Sequence, residues 1–306
     1  MVFLLWVDSS MIAPMLCQTG QPSDLHRAGW VSEIKFDGTR AFLIKTGSSF
    51  DIQNRRGVLY THRLPEITQE AKNIEGTYTL DGELCYFNHH GISEFTPCQR
   101  RCSTQNRSKI MPLLRQYPLN FVAFDILECN GEDFRKTPYW ARKEMLDNFF
   151  FVNPRLNAIL YAEHSEEPQL HFESIMKLGG EGIILKRLDS YYYEGVRSHD
   201  WLKVRQFHTA ICDVEGYTEG NNQRSDYFGS LVLSQNGKYV GNCGGGFSDQ
   251  ALAQLTHHLK RCPQTTPPFA IDEHYTAVKT DLQVQVRYFQ RTENGVFRFP
   301  SYLKIA

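Results

Sequence analysis

The chain has 306 residues and a mass of 35.4 kDa, with 41% hydrophobic and 22% charged residues. This length excludes a disulfide-stapled miniprotein and, at roughly 150 residues per domain, predicts two domains. The 33 Lys and Arg against 34 Asp and Glu give a net charge of −1, which excludes binding of nucleic acid through a global positive field. Any polyanionic partner must be held by local patches.

The cysteines and the N-terminus indicate the compartment. The eight cysteines are scattered without a C-x-x-C pair, which argues against structural zinc. The apolar stretch 2–7 lacks a basic leader and runs into Asp8, so we expect neither a secretory signal nor disulfides. No run approaches the roughly 20 apolar residues of a membrane span. We expect a cytoplasmic protein with no membrane partner, and leave open whether residues 1–10 matter.

Short alternating segments and turn residues predict an antiparallel, strand-rich first part. Strands are predicted over 30–60, with hairpin turns at Asp37-Gly38 and Thr46-Gly47, and a further strand pair over 76–88. Later strands are predicted at 121–127, 181–187 and 200–205, and helices at 63–73, 138–150 and 170–178. The second of these helices is predicted to carry one apolar face, formed by Trp140, Met145, Leu146 and Phe149.

The pattern changes after Arg205. Short strands follow, with one helix at 248–261 opened by Ser248 and a Pro-rich link at 263–268. About 100 residues of strands with a single helix suit a small five-stranded barrel. We therefore predict an α+β protein with an antiparallel-rich domain over 1–206 and a small β-barrel over 207–306.

The hexapeptide Lys35-Phe36-Asp37-Gly38-Thr39-Arg40 carries the strongest chemical signal. Taken alone, a charged surface hairpin explains K-x-D-G-x-R about as often as an active site does. Other motifs follow it in order: Arg55-Arg56-Gly57, Asp81-Gly82-Glu83-Leu84, 121–125, 181–186 and 201–205. Independent coincidences do not line up in this way, so we interpret the set as one active site.

This ordered set resembles the motifs of covalent nucleotidyltransferases, and among them the ATP-dependent DNA ligases of the compact bacterial and archaeal repair type. The resemblance runs from Met11 to about Tyr302. It implies a nucleotidyltransferase domain followed by an OB-fold barrel, with ATP as nucleotide, Mg²⁺ as metal (Mn²⁺ substituting) and nicked duplex DNA as partner. It also implies sealing of 5′-phosphate/3′-hydroxyl nicks through lysyl-AMP and DNA-adenylate and, by analogy, a role in DNA repair.

The resemblance assigns catalysis to four basic residues. Lys35 is the nucleophile, whose amine attacks the α-phosphate of ATP. Arg40 returns from beyond the Asp37-Gly38 turn to the ribose or a phosphate. Lys186 and Lys203 neutralise the α-phosphate oxygens. The alternative for each lysine is a solvated strand residue, which the companion motifs disfavour.

Carboxylates and one aromatic residue complete the expected nucleotide site. Glu181 resembles the metal-binding glutamate of the family, and Glu83 resembles the one that bonds the ribose or assists a second metal. Asp37 is a third candidate metal ligand, and surface carboxylates are the alternative for all three. Phe124 is the candidate to stack on adenine, although a core role is about as common. Glu33, two residues before the nucleophile, is expected to orient the adenosine.

Nucleic-acid contacts are expected from arginines outside the central motifs. The stretch from Cys98 to Arg115 holds five Arg or Lys and no acidic residue, which suits phosphate neutralisation or, alternatively, a solvated basic loop. Arg55 is also a candidate for the nucleotide. The full set of candidates is Arg55, Arg56, Arg100, Arg101, Arg107 and Arg205, with weaker ones at 221–224 and 244–246.

The C-terminal tail departs from the ligase pattern. Arg298 and Pro300 fit, but Lys304 stands where an arginine is expected and the terminal Asp-Lys pair is missing. Either self-adenylylation is slow, or Lys304 and Arg287 substitute. Because no helical DNA-clamping domain precedes Lys35, we expect a monomeric repair enzyme that grips DNA with its two domains or with a recruiting repair protein.

Two other functions stay open. An RNA ligase or a GTP-preferring capping-type nucleotidyltransferase has the same two-domain plan, although the contexts of 121–127 and 179–187 argue against capping. A catalytically impaired nucleic-acid-binding relative would keep the fold. The retained motif residues argue against an inactive relative, whereas the altered C-terminal tail is consistent with one.

Overall fold

The computed structural model describes residues 11–221, 224–263, 266–292 and 294–306. The chain divides into two compact units, Met1–Arg205 and Gln206–Ala306. The candidate segment 221–224 is only partly covered, because 222 and 223 lie outside the described residues, as do 1–10. Within the described ranges, no helix has both the length and the hydrophobicity that a membrane crossing requires.

The first unit contains two sheets in its described part, and most of their strand pairs are antiparallel. Sheet one has the order β1-β11-β10-β2-β9 and comprises β1 (Leu16–Thr19), β2 (Trp30–Ile34), β9 (His164–Ser165), β10 (Ile183–Arg187) and β11 (Arg197–Val204). Sheet two has the order β4-β3-β5-β6-β7, with β8 beside β6, and comprises β3 (Thr39–Thr46), β4 (Ser49–Asn54), β5 (Tyr78–Cys85), β6 (Asn120–Cys129), β7 (Glu132–Asp133) and β8 (Ile159–Tyr161). The pairs β1–β11 and β6–β8 are parallel.

Helices cover these sheets, and apolar side chains fill the space between them. The helices are α1 (Pro65–Asn73), α2 (Phe95–Ser103), α3 (Arg107–Gln116), α4 (Tyr139–Val152) and α5 (Pro168–Leu178), with 3-10 turns at Pro22–His26 and Thr61–Arg63. Because successive strand residues face opposite sides, Ile183 and Leu185 of β10 pack with α5 residues such as Phe172. Phe42 of sheet two and Trp201 of sheet one meet in the apolar core between the sheets.

The expected helices of the first unit are present, but the hairpin at Asp37-Gly38 is wrong. The strands on either side of it, β2 and β3, belong to different sheets, so the turn joins two layers. A Cβ at Gly38 would lie 2.1 Å from the Leu84 carbonyl oxygen, which explains why the position requires glycine. The pair expected over 76–88 is one continuous strand, β5.

Two further expectations need correction. In α4 the buried face contains Arg142, Lys143, Leu146 and Phe149, whereas Trp140 is 53% exposed. Leu146 and Phe149 are buried and Met145 packs against the core, as hydrophobic spacing predicts. Arg142 and Lys143 were not expected, because they are charged and their partners are distant in sequence. The basic stretch between Cys98 and Arg115 forms the helices α2 and α3 rather than a loop.

The second unit is a single sheet with one helix in its described part. Its elements are β12 (His208–Glu219), β13 (Phe228–Gln235), β14 (Lys238–Cys243), α6 (Asp249–Leu259), β15 (Thr276–Ala277), β16 (Gln283–Tyr288) and β17 (Ser301–Ile305). The strand order is β14-β13-β12-β16-β17, with β15 beside β12. Ser248 caps α6 by accepting a hydrogen bond from the Ala251 amide at 3.2 Å, as its position before the helix predicts.

The strand-rich second unit is confirmed, but a closed barrel is not. Among the described residues, the isolated bridge between Gly245 and Ser301 links the chain after β14 to β17, and no continuous ladder joins those two strands. Gly246 has a φ of +91°, which takes the chain out of the extended conformation that a ladder needs. The unit is therefore an open, OB-like sheet instead of the closed barrel that was expected.

Candidate active site

A cleft in the first unit gathers every predicted catalytic residue. It lies beside the core between the sheets. Its lining residues lie on or next to the strands β1, β2, β3, β5, β6, β10 and β11. Its lining consists of Cys17, Glu33, Ile34, Lys35, Phe36, Arg40, Glu83, Phe124, Ile184, Lys186, Trp201 and Lys203. The predicted nucleotide-binding residues are also in this set, except Arg55.

Lys35 lines this cleft and directly follows β2. Its backbone amide donates to the Gly182 carbonyl at 2.9 Å, and its Nζ donates to Glu181 Oε2 at 2.6 Å. The other Glu181 oxygen accepts from Arg205. A Cβ at Gly182 would lie 2.2 Å from the Val204 carbonyl oxygen, so the close approach of these strands needs glycine. Glu181 thus holds the predicted nucleophile and Arg205 from opposite sides.

Arg40 is positioned by an acid that sequence reasoning did not assign. Its Nε and Nη2 donate to the two oxygens of Asp81 at 2.8 and 2.6 Å, a bidentate pair. Tyr192 donates to the same carboxylate at 2.6 Å and accepts from the Met15 amide at 3.1 Å. The Arg40 guanidinium also lies 4.8 Å from the centre of the Phe124 ring. This network fixes Arg40 on the cleft wall.

Lys186 is enclosed by aromatic rings and one carboxylate. Its Nζ lies 4.3 to 4.9 Å from the ring centres of Trp201, Phe124 and Tyr139. It forms an ion pair with Glu33 Oε2 at 2.6 Å. Glu33, expected to orient adenosine, therefore directs its carboxylate to neighbouring protein groups. Phe124, expected to stack on adenine, has a ring flanked by the cations of Arg40 and Lys186.

Burial changes the protonation of groups around the cleft. Burial raises the pKa of the Glu83 carboxyl to about 8, although Lys35 and Arg40 oppose the shift. Burial, followed by the charge of Arg205, lowers the pKa of the Lys203 ammonium. Burial also raises the pKa of the Cys17 thiol, which opposes thiolate chemistry there. Burial in the cleft thus shifts the pKa of each of these groups in the direction of its neutral form.

The carboxylates near Lys35 fit a magnesium ion held jointly with phosphate. Glu83 and Glu181 interact electrostatically with each other, and Glu83 also interacts with Lys35. Mg²⁺ is commonly held by one or two carboxylates, with phosphate oxygens and water completing the shell. Across the described residues, no group of three or more His, Cys, Asp or Glu forms a complete protein cage. Asp37 lies outside the cleft lining, and its backbone amide donates to Ser93 Oγ at 2.8 Å.

The arginines expected to contact nucleic acid fall into different environments. Arg55 and Arg56 are exposed in the turn after β4, outside the cleft lining, and Arg100 and Arg107 are exposed on α2 and α3. Arg205, as described above, is engaged by Glu181.

Arg101 corrects the sequence interpretation. It is fully buried, and its guanidinium donates to Glu66 Oε1 at 2.6 Å, to the Arg63 carbonyl at 3.2 Å and to the Tyr117 carbonyl at 3.1 Å. A side chain held in this way ties α2 to α1 and to the end of α3, and does not reach a DNA phosphate. The charge pattern of the sequence cannot distinguish Arg101 from Arg100, its exposed neighbour.

Sequence reasoning also left Asp81, Tyr139, Lys143 and Tyr192 without a role. Asp81 was detectable, because it lies two residues before Glu83 on β5 and side chains two apart share a strand face. Tyr139 and Lys143 carried no signal, since their contacts to Glu33 cross more than 100 residues of sequence.

Comparison with known proteins identifies the relatives of both units. The model of the ATP dependent DNA ligase domain matches residues 14–205, and that of the ATP dependent DNA ligase C terminal region matches 224–306. The chain is 28% identical over 301 residues to the multifunctional non-homologous end joining protein LigD of Mycolicibacterium smegmatis, covering 95% of this chain and 38% of that protein. It is 28% identical over 318 residues to a DNA ligase of Thermococcus fumicolans, covering 96% of this chain and 55% of that protein.

Solved structures resemble the whole chain. The ligase domain of LigD from M. tuberculosis has 26% identity and a TM-score of 0.57, with 96% of this chain and 95% of that one covered. A Lig E DNA ligase structure has 21% identity and a TM-score of 0.66, covering 96% of this chain and 100% of that one, and supports the fold alone. The chain thus spans well under two thirds of the curated proteins but nearly all of these structures.

Proposed function

The chain belongs to the ATP-dependent DNA ligase family, and from this we propose that it seals 5′-phosphate/3′-hydroxyl nicks in duplex DNA with ATP as co-substrate. The observation that carries the proposal is the cleft, in which Lys35 lies beside Glu181 while Lys186, Lys203 and Arg40 line the wall. A nucleophilic amine surrounded by fixed cations suits attack on a phosphate.

The first step follows from the position of Lys35. A bond forms between its Nζ and the α-phosphorus of ATP, and the bond from that phosphorus to the bridging oxygen of pyrophosphate breaks. The amine must lose a proton before it attacks, and Glu181 Oε2, 2.6 Å away, is the nearest acceptor. Lys186 and Lys203 then balance the charge on the α-phosphate oxygens. In the second step an oxygen of the 5′-phosphate attacks the AMP phosphorus, and the bond from that phosphorus to Lys35 Nζ breaks. In the third step the 3′-hydroxyl loses its proton and attacks the 5′-phosphorus, which forms the phosphodiester and releases AMP.

The cleft is suited to the whole nucleotide. Phe124 and Trp201 offer apolar surface to the base, and Glu83 and Arg40 offer polar groups to the ribose. When bound, Mg²⁺ at Glu83 and Glu181 would supply positive charge to the phosphates. Asp37 stays a third candidate ligand, although neither it nor Glu181 is part of the cleft lining.

DNA contacts are proposed for exposed arginines of the first unit. Arg55 and Arg56 project from the turn after β4, and Arg100 and Arg107 from the pair α2–α3. Exposed guanidinium groups can neutralise backbone phosphates of a duplex without reading its sequence. Arg205 is proposed as a contact only after its pair with Glu181 opens.

The remaining proposals concern organisation and setting. We assign the nucleotidyltransferase domain to 1–206 and the OB-like domain to 207–306, supported by the two family matches. The eight cysteines are free thiols, which supports a reducing, cytoplasmic setting. A monomer that works in DNA repair, with a recruiting repair protein, is proposed from the LigD relatives, which are named as end-joining proteins.

Labelled nucleotide tests the function directly. The purified protein is incubated with α-labelled ATP or GTP and Mg²⁺, and the products are separated on a denaturing gel. In parallel it is incubated with a nicked duplex in which the strand that carries the 5′-phosphate is DNA or RNA. We expect an ATP-dependent covalent adduct and sealed DNA. Adduct with GTP alone would indicate a capping-type enzyme, sealing of RNA alone an RNA ligase, and no adduct an impaired relative.

A further inference from the structure

Arg40 and Tyr192, which are 152 residues apart in sequence, meet at the buried carboxylate of Asp81. The Asp81 Oδ1 atom accepts from Arg40 Nε at 2.8 Å, and Oδ2 accepts from Arg40 Nη2 and from the Tyr192 hydroxyl, each at 2.6 Å. Asp81 is 0% exposed and Tyr192 4%. Arg40 lines the cleft, whereas Asp81 and Tyr192 do not. The hydroxyl of Tyr192 is therefore joined to the cleft through Asp81 and Arg40.

The hydrogen-bond partners of Tyr192 determine where its phenolic proton points. The Tyr192 oxygen accepts from the Met15 backbone amide at 3.1 Å, and an N–H group can only donate. A carboxylate can only accept, so the phenolic proton points at Asp81 Oδ2. Burial, followed by the charge of Asp81, raises the pKa of the Tyr192 hydroxyl well above its usual value, so the hydroxyl keeps this proton. Tyr192 thus links the backbone at Met15 to the carboxylate of Asp81 in one fixed direction.

The same contacts determine which part of Arg40 faces a ligand. Asp81 occupies the Nε and Nη2 atoms of the guanidinium, and within the described residues no hydrogen bond uses Nη1. A guanidinium is planar, so the carboxylate that holds two of its nitrogens also sets the direction of the third. The two N–H groups of Nη1 are therefore the donors that Arg40 can offer to a nucleotide in the cleft.

The remaining contacts of Arg40 do not set this direction. Its Cζ atom lies 4.8 and 5.6 Å from the centres of the Phe124 and Trp201 rings, and a ring face attracts a cation without fixing its rotation. Asp81 and Arg40 can turn together about their side-chain torsions and keep both of their hydrogen bonds. The Tyr192 hydroxyl removes this freedom at Asp81, because a buried polar network is rigid when each of its members is satisfied.

We propose that Tyr192 is a positioning residue of the nucleotide site, whose hydroxyl fixes the Asp81 carboxylate and thereby directs Arg40 Nη1 toward the nucleotide. This inference rests on the proposed function, in which Arg40 offers its polar groups to the ribose. It gives a role in the reaction to a residue that lies between β10 and β11 and is not part of the cleft lining.

Single-turnover adduct formation separates this role from a structural one. Bound AMP is first removed with pyrophosphate, and the adduct from labelled ATP is then followed in time. The amplitude counts the folded, competent protein, whereas the second-order rate constant for ATP reports the alignment of the site. Tyr192→Phe should lower this rate constant by about tenfold, comparable to one hydrogen bond to a charged group. An unchanged rate constant, whatever the amplitude, would overturn the proposal.

A double variant tests whether the effect passes through Arg40. Arg40→Lys keeps the charge but replaces the planar fork with a point charge, whose donors a carboxylate does not direct. On this background Tyr192→Phe should lower the rate constant by less than about twofold, because two changes within one network are not additive. If Tyr192→Phe causes the same loss as in the wild-type background, Tyr192 acts independently of Arg40 and the proposal is wrong.

Two further variants complete the experiment. Tyr191→Phe removes a phenolic hydroxyl from the neighbouring residue, which is 44% exposed, and should change neither amplitude nor rate constant. If Tyr192→Phe does not fold, Asp81→Asn replaces it, since asparagine keeps the shape of the side chain but puts a donating amide where one oxygen accepted. The rate constant of the folded Asp81→Asn protein should fall by about tenfold or more, and an unchanged value would also overturn the proposal.

The wild type distinguishes failure of this inference from failure of the proposed function. Absence of an adduct in the wild type would count against the proposed function itself. A wild-type adduct that forms at the same rate in Tyr192→Phe would count against the role of Tyr192 alone.

Discussion

Two regions of the first unit use positively charged side chains differently. In the cleft the cations are fixed by protein partners, such as Lys35 by Glu181 and Arg40 by Asp81. The second region is the basic surface of α2 and α3, formed by Arg100, Arg107, Lys109 and Arg115. In the described part of the chain no ion pair involves these four side chains, and all are exposed.

This difference matches what each region has to bind. A phosphorus under attack needs cations held in one place, because fixed charges do not have to reorganise as the reaction proceeds. A duplex backbone needs several phosphates neutralised at once, which mobile exposed cations achieve through release of counterions. We therefore expect the same residue types to serve catalysis in the cleft and DNA binding on the basic surface.

Removal of the nucleophile is expected to have the largest effect in the cleft. Lys35→Ala should abolish the covalent AMP adduct, because no other amine lies on Glu181 in the described structure. The measurement is gel detection of labelled protein, with Lys109→Ala on the basic surface as a matched control that keeps the adduct. An adduct that persists in Lys35→Ala would remove the central assignment.

The next largest effect is expected at Arg101, which lies next to the basic surface in sequence but is buried. Arg101→Ala should destabilise the fold by about 3 to 5 kcal/mol, because it leaves Glu66 and two carbonyl groups without their buried partner. Arg100→Ala, one residue away and exposed, should change stability by less than about 0.5 kcal/mol. Urea denaturation of both variants decides the point. Equal stabilities would contradict the buried role of Arg101.

The carboxylate that holds the nucleophile should come third. Glu181→Ala removes the carboxylate that pairs with Lys35 and Arg205 and is a proposed metal ligand. Metal-dependent adduct formation should therefore fall by at least about 10². The rate is measured across a Mg²⁺ titration, with the exposed Glu167→Ala as control. Wild-type rates at limiting Mg²⁺ would be inconsistent with this role.

The smallest effect is expected on the basic surface and appears in binding alone. Changing Arg100, Arg107 and Lys109 together to Ala should lower the slope of log affinity against log salt by about 0.9 for each phosphate that this surface no longer neutralises. Nicked-duplex binding is measured over a salt series, and adduct formation should stay at the wild-type level. An unchanged slope would mean that this surface is only solvated, and a loss of adduct would mean that the two regions are not separate.

The sequence by itself predicted four of the six described α-helices and the motif residues that line the cleft. Hydrophobic spacing located α1, α4, α5 and α6, and the ordered motifs supplied the cleft residues from Lys35 to Lys203. These features depend on local properties, namely periodicity, caps and glycine at close approaches. The second unit was expected to be a closed barrel. The sequence could not show that it stays open, because closure depends on whether a ladder continues past Gly246.

Tertiary structure decided which charged residues are free and which are engaged. Arg100 and Arg101 are neighbours in sequence, yet one is exposed and the other is buried against Glu66, 35 residues away. Lys143 reaches Glu33 across 110 residues, and Tyr192 reaches Asp81 across 111. A buried charge is tolerated only where an oppositely charged or hydrogen-bonding partner contacts it. These contacts follow from the packing of the two sheets and their helices. The local sequence pattern does not predict that packing. The contacts of Arg101, Lys143 and Asp81 are therefore seen only in the tertiary structure.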